Sequence, residues 1–86
     1  MTKVHFSDLH GQLQAEAAFD NATQMKDVIA EGVSRLGFPT KYETGEPIKY
    51  RARDANTGSL MGPEQEVTDL QGPEPRVELI GEIPAA

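Results

Sequence analysis

The side chains that could do chemistry in this 86-residue sequence are few, and their spacing argues for recognition over catalysis. His5 stands in a strand-like segment and His10 in a turn, with no second histidine or carboxylate at metal-ligand spacing beside either, so both read as exposed imidazoles. Ser7, Ser34 and Ser59 are scattered and none sits in a G-x-S-x-G setting, which leaves no basis for a nucleophilic triad. Cysteine is absent, which removes disulfides, thiolate metal sites, iron–sulfur clusters and thiol nucleophiles. The carboxylates Glu43, Glu46, Glu64, Glu66, Asp69, Glu74, Glu78 and Glu82 are dispersed as on a solvated acidic surface, without the close spacing of a calcium loop. No metal, no cofactor and no enzymatic activity are expected. Lys49, Arg51 and Arg53 form a different pattern. Alternate positions on one strand bring all three to one face, against the acidic average of the chain. They are the candidate partner-binding residues, and the same alternation would let them cross-pair with Glu78 and Glu82 of the last strand.

Length and charge narrow the classes further. A chain this short supports one core and no second. With 37% hydrophobic and 26% charged residues it falls in the globular range, towards its polar side. A formal charge of −6 opposes binding to phosphate backbones and favours protein partners that carry basic patches. No apolar run approaches the roughly 20 residues of a membrane span. Met1 to Val4 opens directly into a strand-like pattern instead of a signal segment, so the expectation is a soluble, cytoplasmic chain.

The elements that must position these residues follow from hydrophobic period. Val4 and Phe6 alternate with Lys3, His5 and Ser7, predicting a first strand over 3–7; Leu13, Ala15, Ala17 and Phe19 predict a second, joined to it by a turn at Asp8–Gly11. From Ala22 through Met25, Val28, Ile29 and Val33 to Leu36 the spacing becomes threes and fours, predicting a helix of about four turns. Asn21 and Gln24 suggest a capping box at its start, and Gly37 and Pro39 its end. Ile48, Tyr50 and Ala52 predict a third strand, Ser59–Met61 a short one, and Val67 with Leu70 one helical turn. Arg76 to Ile83 predicts the last strand, with Val77, Leu79, Gly81 and Ile83 on one face.

This order resembles the ubiquitin-like β-grasp family over nearly the whole chain. The turn Asp8-Leu9-His10-Gly11 is similar to the first hairpin loop of ubiquitin, and Asn21 to Ile29 to the start of its helix. Gly37-Phe38-Pro39 resembles the helix end, Thr68-Asp69-Leu70 the late segment, and Arg76 to Ile80 the final strand. The resemblance implies an α+β fold: a mixed four- to five-stranded sheet packed on one helix, with a domain over residues 1–83 and a short tail over 84–86.

It also implies a function. In modifiers of this family the C-terminal tail enters an activating enzyme, and the tail here, Pro84-Ala85-Ala86, replaces the usual Gly-Gly with small residues that have less backbone freedom. The resemblance is nearest to the small ubiquitin-like modifiers of bacterial conjugation operons. It marks Ala85 and Ala86 for conjugation or processing by an activating or conjugating enzyme or a peptidase. In ubiquitin the strand similar to that of Lys49, Arg51 and Arg53 contributes to an apolar docking patch, so basic residues there imply different partners. The alternative function is a non-covalent β-grasp adaptor, for example a secretion-system accessory or a small subunit of a larger assembly.

Overall fold

Alternation does set the first two strands. In the computed structural model, which describes residues 1–82, β1 (Thr2–Ser7) buries Val4 and Phe6, and β2 (Gln14–Phe19) buries Ala17 and Phe19. The two pair antiparallel, from Thr2 opposite Phe19 to Ser7 opposite Gln14. The Asp8 carboxylate accepts the Gln12 N–H at 2.8 Å and Gly11 takes φ 69°, so the turn is longer than four residues. Leu13 consequently lies outside β2 and is exposed, although its alternation had placed it on the core face.

The helix α1 (Met25–Leu36) buries Met25, Val28 and Val33. It is shorter at its start than the apolar spacing predicts, and Asn21 is not its cap: Gln24 is the N-cap residue and makes no side-chain capping bond. The cause is tertiary. The Met25 N–H donates to the Gln65 carbonyl at 2.7 Å and the Lys26 N–H to the Pro63 carbonyl at 3.0 Å, so a neighbouring loop satisfies the first-turn donors that a cap would otherwise serve. Ala22 is exposed in the preceding turn, and the Asn21 side chain instead accepts the Thr2 hydroxyl at 2.7 Å. A capping box does occur, one element later, between Glu66 and Asp69 around the short 3₁₀ turn Val67–Asp69. At the other end Gly37 adopts φ 71°, and the Phe38 N–H returns to the Val33 carbonyl, closing the helix as expected.

Three further strands complete the sheet: β3 (Tyr50–Asp54), β4 (Leu60–Met61) and β5 (Arg76–Gly81). Their order is β2-β1-β5-β3-β4, with β1 and β5 parallel and the other pairs antiparallel. β3 begins two residues after Ile48, because the Ile48 N–H is taken by the Thr40 carbonyl and cannot join the ladder. β5 ends at Gly81, and Ile83, predicted as its last residue, lies outside the described residues.

α1 crosses the inner face of the sheet at close range. A Cβ on Gly32 would stand 2.6 Å from the Phe6 ring, so glycine lets helix and β1 approach. The Phe6 ring meets Phe19 edge-to-face at 6.1 Å. One carboxylate, Asp54, is buried on this side and fully used: it accepts the Asn56 N–H at 2.9 Å and the Gln71 N–H at 2.8 Å, tying the β3–β4 turn to the loop before β5. No helix among the described residues is long and apolar enough to cross a membrane.

Candidate protein-docking surface

The face of the sheet turned away from α1 is where the sequence-predicted residues gather. Because strand side chains alternate, β1 offers Lys3, His5 and Ser7 there, β5 offers Arg76, Glu78 and Ile80, and β3 offers Arg51 and Arg53. The pairing register then brings opposite charges together. Arg53 lies opposite Glu78, and their side chains meet at 2.6 Å; Arg51 reaches Glu82 at 3.7 Å. Arg53 is thus cross-paired with the last strand and Arg51 with the residue just past its end, the two partners that alternation allowed. Lys49, expected on the same strand, sits just before β3 and is exposed, with no ion pair among the described residues.

A second cluster on this face was not foreseen. Glu16 stands directly opposite His5 and binds both neighbours on β1, the Lys3 ammonium at 3.2 Å and the His5 Nδ1 at 3.4 Å. The sequence sets no carboxylate at metal-ligand spacing beside His5; Glu16 reaches it from the partner strand, eleven residues on, through the hairpin register. Arg76, beside His5 on β5, pairs with Glu74 at 3.3 Å. Between these groups runs a trough of about 420 Å³ lined by His5, Ser7, Gln14, Glu16 and Arg76.

Charge is segregated as a result. Of the eight Lys and Arg residues, five (Lys3, Lys49, Arg51, Arg53 and Arg76) lie on this face or its rim, against Glu16, Glu74, Glu78 and Glu82. The face is close to neutral, and the acidic excess of the chain lies elsewhere. Apolar side chains on it are sparse, with Ile80 half-buried and Leu60 exposed.

The exit of β5 adjoins this surface. The Glu82 N–H donates to the Lys49 carbonyl at 2.8 Å, and the Tyr42 hydroxyl donates to the Glu82 carbonyl. Tyr50 stacks on Phe38 at 5.7 Å and donates to the Pro39 carbonyl at 2.6 Å; burial, and after it the neighbouring Tyr42, raise its phenol above the ordinary value. Ala85 and Ala86, the predicted conjugation residues, lie outside the described residues.

The complete layout, one helix across a five-stranded sheet with parallel first and last strands, has a close counterpart among solved structures. A ubiquitin-fold protein from Arabidopsis thaliana superposes with a TM-score of 0.68, covering 99% of this chain and 89% of its own, at 16% identity. The fold is that of ubiquitin. No protein-family profile and no curated sequence matches the chain. The expectation from the sequence is met at the level of the ubiquitin fold, with all five strands formed. Within that fold, β3 carries ion-paired arginines on its outward face.

Proposed function

We propose that this chain is a ubiquitin-like protein modifier akin to those of bacterial conjugation operons, acting in the cytoplasm. An activating or processing enzyme docks on the outer sheet face around Lys49, Arg51 and Arg53 and acts at Ala85 and Ala86. The observation that supports this best is the anchoring of Glu82. The backbone of Lys49 and the hydroxyl of Tyr42 hold it, and Arg51 pairs with its side chain, so the chain leads to the last four residues from beside the docking residues. Docking and attachment would then share one partner. The partner enzyme activates the Ala86 carboxyl; a nucleophile on the partner or target attacks that carbon, and the activating group leaves.

Mass spectrometry of the tagged chain recovered from cells that express its own partner enzymes tests this. The expected product is a covalent adduct through the terminal carboxyl, lost when Ala85 and Ala86 are deleted and reduced when Lys49 and Arg51 are both changed to Glu. Recovery of partners with no adduct would overturn it. The second reading, a non-covalent adaptor, is favoured by the pairing of Arg51 and Arg53, which gives a near-neutral face suited to recognition without tail chemistry. Under that reading the tail-deleted chain retains its partner.

A further inference from the structure

The two edges of the sheet differ sharply. β4 is an edge of two residues followed by Gly62-Pro63, short and interrupted in the way that protects an edge. β2 is an edge of six residues, Gln14–Phe19, that contains no proline and no lysine and pairs with β1 in unbroken register. The Asp8 N–H bonds to the Leu13 carbonyl, and the His5 N–H bonds to the Pro75 carbonyl on β5. Antiparallel alternation therefore gives the odd-numbered residues of β2 to β1. The N–H and C=O groups of Gln14, Glu16 and Ala18 point outward, and among the described residues β2 has no other strand neighbour.

We infer that β2 pairs antiparallel with β2 of a second copy of this chain, with Ala17 on the two-fold axis, joining the two sheets into one. The outward groups must meet each other, so two registers use most of the strand. One sets Glu16 opposite Glu16, placing like charges face to face. The other sets Glu16 opposite Ala18 of the second copy, and it is charge-complementary. Lys3 neighbours Ala18 on the same face within each copy. Across the joint the outer-face row then runs His5, Glu16, then Ala18 and Lys3 of the second copy. Lys3 already holds Glu16 of its own copy at 3.2 Å, and the alanine methyl leaves open the path by which the same ammonium also reaches Glu16 of the other copy, so that two lysines and two glutamates share one cluster across the axis. On the inner face Ala15 comes opposite Phe19 of the second copy, an apolar pair. Such an isologous contact closes on itself and stops at two chains. Lys49, Arg51 and Arg53 lie on the far side of β1 and β5 and stay free, so loss of this pairing would leave the proposed docking intact.

Sedimentation velocity of the full chain, from micromolar to millimolar concentration, tests the inference. A concentration-dependent monomer–dimer equilibrium is expected. Ala18→Pro removes an outward donor without touching the β1 ladder, and should weaken dimerisation by at least about tenfold while the circular dichroism spectrum stays unchanged. Ala18→Glu sets a carboxylate against Glu16 and should weaken it similarly; adding Glu16→Lys should restore it. A chain that is monomeric throughout, or a dimer indifferent to both Ala18 variants, would overturn the proposal.

Discussion

On its inner face the sheet carries Val4, Phe6, Ala17, Phe19, Ala52, Val77 and Leu79, all buried with α1 above them. On its outer face the same strands carry Lys3, His5, Glu16, Arg51, Arg53, Arg76 and Glu78, whose ion pairs, Lys3 with Glu16, Arg51 with Glu82, Arg53 with Glu78 and Arg76 with Glu74, remain within reach of water. The energetic weights are unequal. Burying one large apolar side chain contributes about 1.5–3 kcal/mol, whereas an exposed ion pair contributes about 0–1 kcal/mol. Stability therefore resides on one side, and the other can vary its charges at little cost to the fold. A protein built this way can change partners without redesigning its core.

Four substitutions would break or sharpen that contrast. The largest effect is expected from Phe6→Ala, at about 3–5 kcal/mol in chemical denaturation, because its ring fills the space between Gly32 and Phe19. The same vacancy should accommodate Gly32→Ala, which alone clashes with the ring, so a double-mutant cycle between the two positions should show strong coupling. Asp54→Ala comes next, at about 1–3 kcal/mol, because the N–H groups of Asn56 and Gln71 lose their acceptor. An unchanged denaturation midpoint there would show that water replaces the carboxylate. Glu78→Ala on the outer face should cost no more than about 1 kcal/mol. A loss as large as that of Phe6→Ala would refute the division of labour between the faces.

Much of this was legible in the residues themselves. Val4 with Phe6, Ala17 with Phe19, and Val77 with Leu79 mark their buried faces by alternation alone, and Met25, Val28 and Val33 mark the helix stripe. What could not be read was whatever depends on a distant segment. The helix starts at Met25 because the backbone at Pro63 and Gln65 meets its first turn, and no local cap signals that. The Glu16 and His5 pair depends on the register of a hairpin whose loop is longer than its glycine suggested. Arg51 and Arg53 lie on the face that alternation predicts, and the same alternation, carried one residue past β5, brings Glu78 and Glu82 to them. Lys49 lies on the approach to β3 because the Ile48 N–H is used elsewhere.

The position of β5 has a consequence for synthesis. It lies between β1 and β3, so before it emerges from the ribosome the chain holds two separate hairpin units with no central strand to join them. Phe6 and Ala52 then lack the neighbour that brings them into one core. The nascent chain must therefore carry open strand edges until residue 81 is free, a period in which a chaperone has surface to bind and a neighbouring nascent copy has edges to capture.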